Sequence, residues 1–294
     1  MSVLGSKTVL REDGLSDTAA TGVSILLDVV IVNYNTYDDT FKCVTHLIEQ
    51  HEVAPQNIHV VDNCSLDGSG PRLKRDLPAE VDVILSQTNN GFGAGINLGA
   101  RAGEAPYILV LNPDCRPETA NLHLILEHFI LHADVGLVGA ELINPDGSLQ
   151  YSARTFYSAL DVIVRRSPLR RIFPFSRVNR SHLLMGDPRS GPFDVDWVMG
   201  TGFVVRREVF ERVGAMDEAY FLYMDDVDLC ARVHSAGFRV QILPIVKFVH
   251  DHRRQSGWTW RWTRSHSLHL ASFILFTKRH GLSLFRRPKI RQYP

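Results

Sequence analysis

No two of the four cysteines, Cys43, Cys64, Cys115 and Cys230, are spaced as a CxxC pair. That excludes a zinc ribbon or a disulfide-stapled scaffold and suits a reducing compartment. Net charge is missing as well: 32 Lys and Arg balance 32 Asp and Glu, so bulk electrostatics single out no partner, nucleic acid included. Long apolar runs are absent. The longest late one, Leu268 to Phe276, is broken by His269 and Ser272 and falls far short of the ~20 residues that cross a bilayer. Residues 1–26 lack an apolar h-region and carry Asp, Glu, Arg and Lys among the first twenty, so they read as a flexible tail rather than a signal peptide. No Walker A sequence, GxSxG elbow, HExxH motif, internal repeat or low-complexity tract occurs. The expectation is a soluble or peripheral cytoplasmic protein.

What is present is an ordinary globular composition, 45% hydrophobic over 294 residues, enough for one large α/β domain or two small ones. Asp28–Asn33 is a short continuous β-branched run, the mark of a strand buried on both faces. Asn57–Asp62, Val81–Ser86 and Tyr107–Asn112 read as further strands. Helical spacing fits 38–49, where Phe41, Val44, Leu47 and Ile48 share a face, and 69–76, 92–102 and 119–132. This alternation predicts βαβ units and a mostly parallel, Rossmann-like sheet. Around residues 165–189 the periodicity fades into a long basic loop. Beyond it, strands are expected at 195–198, 203–205, 239–243 and 246–250, with helices at 207–213 and from Asp225.

Parallel sheets bind ligands outside the carboxyl ends of their strands. Asn33, Tyr34 and Asn35 follow the first strand, Asp62 and Asn63 the second, and Asn112 and Asp114 the fourth. Each is also an ordinary turn or cap residue; together they point to a nucleotide site. In Asn112-Pro113-Asp114 the proline forces a turn that holds Asp114 at the sheet's edge. A hard cation such as Mg²⁺ or Mn²⁺ wants one or two carboxylates there, plus substrate phosphates. Asp225-Asp226-Val227-Asp228 brings three carboxylates within four residues, a repulsion that raises some pKa values. A helix N-terminus would favour the same acids without any chemistry. Arg232 stands four residues after Asp228, so Asp228 is assigned to an i,i+4 pair and Asp225 or Asp226 to general-base chemistry. His250 ends an apolar strand and offers a metal ligand or merely a polar terminus. The segment Asn89-Asn90-Gly91-Phe92-Gly93-Ala94-Gly95-Ile96-Asn97 opens a helix whose N–H groups suit a phosphate or ribose. It fails the dinucleotide fingerprint at Ile96, which disfavours an NAD-linked enzyme.

In this order, these pieces make the sequence similar to glycosyltransferase family 2, particularly its rhamnosyltransferase-like bacterial members, over roughly residues 27–256. The resemblance rests on Val32-Asn33-Tyr34-Asn35, Val61-Asp62-Asn63-Cys64-Ser65-Leu66-Asp67-Gly68, the Gly91 segment, Leu111-Asn112-Pro113-Asp114, Trp197-Val198-Met199-Gly200-Thr201-Gly202, Asp225-Asp226-Val227-Asp228-Leu229 and His250. It implies a GT-A fold, a nucleotide-diphospho-sugar donor and a divalent metal, Mg²⁺ or Mn²⁺. By that likeness Asp62 contacts the nucleobase, with Asn33, Tyr34, Gly91 and Asn97 nearby and Asn90 and Asn112 near the ribose or sugar. Asp114 takes the last place of a DxD motif whose first place is Asn112, and His250 matches the downstream metal ligand. Asp226 matches the base that deprotonates the acceptor in an inverting displacement, although Asp225 replaces the usual glutamate. Trp197, Gly200 and Thr201 would line the acceptor side.

The implied domain spans residues 27–256, with a nucleotide-binding half at 27–115 and an acceptor half at 116–256. The implied reaction moves a sugar, L-rhamnose from dTDP-rhamnose being the best match or else a UDP-sugar, to a glycan or polyprenyl-diphosphate-linked hydroxyl. Weakening of the metal motif at Asn112 leaves a non-catalytic nucleotide-sugar-binding or scaffold protein as the alternative. Residues 257–294 combine basic residues with Trp258, Trp260, Phe273, Phe276 and Phe285. They read either as a helix for the membrane interface or as a helix docked on the core with a solvated tail.

Overall fold

Four valine-, isoleucine- and leucine-rich segments set the first half of the molecule. The computed structural model describes residues 26–50, 53–118, 122–156, 191–251 and 264–281. The tail 1–25, the whole basic loop around 165–189, and residues 252–263 and 282–294 lie outside the described residues. The first four strands are β1 (Leu27–Asn33), β2 (Ile58–Asp62), β3 (Asp82–Leu85) and β4 (Tyr107–Leu111). Helices α1 (Tyr37–Glu49), α2 (Ser69–Asp76) and α3 (Phe92–Ala100) connect them. These four strands run parallel in the order β3-β2-β1-β4. Successive residues of β1 face opposite sides: Val29 and Ile31 join one buried apolar cluster, Val30 and Val32 the other. A strand covered on both faces is apolar along its length, and here only Asp28 and Asn33, near its two ends, depart from that.

The second half is mixed. Strand β5 (Cys115–Pro117) and helix α4 (Leu122–Leu131) lead to β6 (Val135–Ile143) and its hairpin partner β7 (Leu149–Gln150). Short strands β8 (Ala153–Arg154), β9 (Phe193–Asp194) and β10 (Trp197–Val198) precede β11 (Gly202–Arg206). Then follow α5 (Arg207–Arg212), α6 (Asp225–Ser235), β12 (Arg239–His250) and α7 (Arg264–His280). Strand β11 inserts antiparallel between β4 and β6, and β12 lies parallel to β6. The sheet order is completed as β4-β11-β6-β12-β5. The α/β class expected from the sequence is therefore present, with antiparallel insertions that the alternation did not reveal.

Two differences from the sequence reading have physical causes. Strand β6 was not expected, because Gly136, Gly139 and Glu141 interrupt its apolar pattern. A Cβ on Gly139 would meet Ile242 and Val198 at 2.8 Å, so close packing requires glycine where a β-branched residue would have announced a strand. The two expected strands at 239–243 and 246–250 are one strand, β12, with a register shift between Leu243 and Lys247. Pro244 falls in that shift and has no N–H for the ladder.

At the amino-terminal ends of β1 and β2 the core holds a charged cluster. Buried Asp28 receives Arg207 Nη2 at 2.8 Å, the Ala105 N–H at 2.7 Å and Asn57 Nδ2 at 3.1 Å. His59 lies 3.7 Å from Asp28 and 3.4 Å from Asp82. This cluster ties β1 to the start of α5 at the end of the strands opposite the polar residues described next.

Candidate active site

The carboxyl ends of β1 and β2 are locked by one side chain. Asn33 donates to Asp62 Oδ1 at 2.6 Å and to Ser69 Oγ at 2.9 Å, and its own oxygen accepts the hydroxyls of Thr36 and Thr40. Asn33 is completely buried, so it holds Asp62 in place and has no surface to offer a donor molecule. Asp62 Oδ2 accepts the Ser65 N–H at 3.1 Å. Tyr34 stands 43% exposed just beyond, and Asn35, at φ 55°, caps the Leu66 N–H with its side chain.

The glycine-rich segment forms the next wall. Asn63 Nδ2 donates to the carbonyl of Gly91 and to Asn89, while the Phe92 N–H donates to the Phe221 carbonyl at 3.0 Å. Gly91 has φ 95°, and a Cβ there would run into the backbone of Phe221. The start of α3 is thus docked on the loop that leads into the acidic segment. Gly91→Ala should lower stability by about 1–3 kcal/mol through the forced φ alone. It should also reduce turnover by moving that loop, as checked by urea denaturation alongside kcat. Wild-type values for both would contradict the docking.

Asn112, Asp114 and His250 meet at the far end of β4. The Asn112 carbonyl accepts the Cys115 N–H at 3.0 Å, closing the Pro113 turn. The Asp251 N–H donates to the Asp114 carbonyl at 2.9 Å, and β12 pairs His250 with Cys115. This pairing sets His250 Nε2 3.5 Å from Asp114 Oδ2. A hard carboxylate oxygen beside an imidazole nitrogen fits Mn²⁺ or Mg²⁺, with the remaining positions left for diphosphate oxygens and water. No group of three or more His, Cys, Asp or Glu is placed to hold a metal among the described residues. Asp114 and His250 are the pair of such groups that this corner brings together.

The acids at the start of α6 divide sharply by environment. Asp228 is buried and accepts Arg232 Nε at 2.7 Å, His280 Nε2 at 2.7 Å and the Tyr220 hydroxyl at 3.3 Å. Burial alone would raise its pKa; His280 and Arg232 hold it below the usual carboxylate range. Its role is structural, as its spacing from Arg232 suggested. Asp225 is 4% exposed, takes the Asp226 N–H on Oδ1, and has no partner for buried Oδ2 among the described residues. Burial first, and then the neighbouring Asp226 charge, push its carboxyl upward. A lone buried charge is costly, so Asp225 is favoured as the neutral acid.

Asp226 is partly exposed. Its Oδ2 accepts the Gly200 N–H at 2.9 Å and Oδ1 the Val227 N–H at 2.8 Å. Burial raises its pKa, while those two N–H groups and the charge of Arg154 partly offset the rise. Across the same turn, the Asn112 N–H donates to the Thr201 carbonyl at 2.9 Å. The Gly200–Thr201 turn thus joins the Asn112–Asp114 corner to Asp226 by two hydrogen bonds.

Three side chains expected in the site belong to the packing instead. Asn97 is buried and fully engaged, donating to Met216 O and Glu218 and accepting the Met216 N–H. Trp197 is 5% exposed, with its indole N–H on the Thr155 carbonyl, so it presents no face to a sugar. The Thr201 side chain is buried, and its backbone carbonyl does the bridging. Asn90 remains exposed at the rim. Arg154 and Gln150 were not singled out from the sequence, because both act from short strands without periodicity.

Helix α7 covers the acidic loop from behind. Phe276 is fully buried, Ser272 Oγ donates to the Leu222 carbonyl at 2.8 Å, and Tyr223 pairs with Ser265 at 2.7 Å. For residues 264–281 the docked alternative is what the structure contains. The surrounding basic and aromatic residues, Trp258 and Trp260 among them, lie outside the described residues. No helix among the described residues is long and apolar enough to cross a membrane.

The sequence model described as Glycosyl transferase family 2 matches residues 28–214. The chain is 29% identical over 271 residues, 87% of its own length and 85% of the relative's, to the N-acetylglucosaminyl-diphospho-decaprenol L-rhamnosyltransferase of Mycobacterium tuberculosis. It is 26% identical over 221 residues to the dTDP-rhamnosyl transferase RfbF of Shigella flexneri, covering 73% of this chain and 66% of that one. Among solved structures it resembles GalNAc-T7 with UDP, GalNAc and Mn²⁺, at TM-score 0.63 and 15% identity, over 86% of this chain and 48% of that one. At that identity the last likeness concerns the fold alone, and the chain spans about half of that protein.

Proposed function

Because the chain belongs to glycosyltransferase family 2 and has the GT-A fold, we propose that it transfers L-rhamnose from dTDP-rhamnose, with inversion, to a lipid-linked glycan hydroxyl. The observation that carries this reading is the Gly200–Thr201 turn, which ties the Asn112–Asp114 corner to Asp226. Donor chemistry and acceptor chemistry are thereby held in one frame, the condition for in-line attack.

In this reading residues 27–256 are the catalytic unit, with the donor half at 27–115. Asp62, steadied by Asn33, accepts from the base of the nucleotide, with Tyr34 beside it and Asn90 and Gly91 at the rim. Asp114 and His250 would hold the divalent metal, which supplies positive charge against the leaving diphosphate. The N–H groups at the start of α3 add to that stabilisation. Asp226 takes the proton of the acceptor hydroxyl as its oxygen attacks the anomeric carbon. Asp225, which burial favours as the neutral acid, accepts the Asp226 N–H and leaves Asp226 as the partly exposed acid of the pair. Rhamnose is supported by both rhamnosyltransferase relatives, the dTDP carrier by the Shigella flexneri one and the polyprenyl-diphosphate-linked acceptor by the Mycobacterium tuberculosis one.

The test is a panel of dTDP-, UDP- and GDP-sugars with an N-acetylglucosaminyl-diphospho-polyprenol acceptor, with Mn²⁺ and with EDTA. Turnover of dTDP-rhamnose that EDTA abolishes is expected. Nucleotide binding without transfer from any donor would favour the non-catalytic reading instead. The pH profile gives a second check. Asp226 must be unprotonated to act, and its pKa is raised by burial, so activity should be lost on acidification above the usual Asp value of about 3.9. An acid limb of kcat/KM at or below that value would contradict the assignment.

A further inference from the structure

His250 is 3% exposed, and its two ring nitrogens face different groups. Nε2 looks at Asp114 Oδ2 from 3.5 Å, while Nδ1 lies 2.8 Å from Gln150 Oε1. We infer that Gln150 is a positioning residue that fixes His250 as the Nδ1–H tautomer, so that Nε2 offers its lone pair to a cation shared with Asp114. The inference rests on the metal reading above and deepens it.

Which atoms donate follows from groups that can act in only one way. The carbonyl of Ser148 can only accept, and Asn144 Nδ2 donates to it at 3.2 Å and to Ser148 Oγ at 2.7 Å. The other end of that amide is therefore oxygen, and it faces Gln150. Gln150 Nε2 donates to Asn144 Oδ1 at 2.6 Å and to the His250 carbonyl at 2.8 Å, both acceptors only. Gln150 must then present its oxygen to His250, and an amide oxygen accepts but never donates. Nδ1 has to carry the hydrogen. In the neutral ring Nε2 is left as the lone-pair atom, aimed at a carboxylate. Two such acceptors at 3.5 Å repel each other unless a positive charge lies between them.

The hairpin delivers this arrangement through its turn. Asn144-Pro145-Asp146-Gly147-Ser148 reverses the chain, with Gly147 at φ 80° and the Ser148 N–H on Asp146 Oδ1 at 2.9 Å. Pairing of Leu142 with Gln150 and of Ile143 with Val249 then sets Gln150 against the end of β12. Metal-ligating histidines characteristically donate their other N–H to such a partner, which fixes the ring and raises its basicity.

The test uses the full chain, wild type, Gln150→Leu and Gln150→Glu. Long-range ¹H–¹⁵N spectra of metal-free protein, recorded above the imidazole titration, read the tautomer directly. The Nδ1–H form is expected in wild type, with a shift toward Nε2–H in Gln150→Leu. Mn²⁺ titration by calorimetry should show about a 10- to 100-fold weakening in Gln150→Leu. Gln150→Glu still accepts from Nδ1–H but sets its second oxygen against the Asn144 and His250 oxygens that Nε2 served, so the Nδ1–H tautomer should return while the affinity recovers only in part. An Nε2–H tautomer in wild type overturns the inference. So does wild-type Mn²⁺ affinity in Gln150→Leu. A wild type that binds no Mn²⁺ overturns this inference and the metal reading together.

Discussion

Asp226→Asn should lower kcat by about 10²–10⁴-fold, the usual contribution of a positioned general base, while leaving nucleotide affinity near wild type. The reason is local. Asp226 is the partly exposed acid of the pair, held by the Gly200 and Val227 N–H groups. An amide cannot take up the acceptor's proton, yet it keeps the size of the side chain. Asp114 lies in the Pro113 turn and His250 at the end of β12, both outside α6, so donor and metal binding should persist. Asp225→Asn is the matched control: burial already favours the neutral form of Asp225, so an amide there should reduce kcat far less. Steady-state kinetics of both variants with calorimetric titration of dTDP would measure this. Near-normal transfer by Asp226→Asn, or equal losses in the two variants, would remove Asp226 from the role of base.

Arg207→Ala should destabilise the protein by about 3–5 kcal/mol, the usual consequence of removing one partner of a buried ion pair. Asp28 is almost fully enclosed, and the guanidinium also donates to the carbonyls of Ala105 at 2.6 Å and Ala100 at 2.7 Å. Three contacts would be lost, and a carboxylate would remain in the core. Burial alone would raise the Asp28 pKa; His59, the Ala105 N–H and Arg207 hold it below its ordinary value. A depressed carboxylate contributes stability that is full above its unfolded pKa and fades as pH falls through the folded one. Without Arg207 the folded pKa rises, so stability should begin to fade at higher pH. Urea unfolding between pH 4 and 8 should show a lower midpoint with an unchanged slope. The active-site residues lie at the other end of the strands, so the folded fraction should keep its kcat. A loss below about 1 kcal/mol would show that the remaining partners of Asp28 suffice.

These expectations divide along what a linear sequence can display. Periodicity exposed β1 to β4 and the helices between them, because short β-branched apolar runs alternate there with helical spacing. It did not expose β6, where close packing demands glycines, nor the continuity of β12 across Pro244. In the site, strand-end acids and the Asp225–Asp228 run were legible, since charges gathered beside apolar strands need a reason. Asn33, Asn97 and Trp197 looked alike as site candidates, because residue type cannot separate a side chain that touches a ligand from one that steadies its neighbours. Only their hydrogen bonds separate them. Gln150 lay hidden for the converse reason: an ordinary hairpin residue gains its meaning from the ring it faces 100 positions away.

The most direct test of the account is the anomeric configuration of the product. With Asp226 as the base of the proposed reaction, the acceptor oxygen attacks the anomeric carbon directly, in a single displacement. NMR of the purified product should show the transferred sugar linked with the configuration opposite to that in the nucleotide donor. Retention would contradict the account, because it requires a second displacement that Asp226 acting as base does not provide.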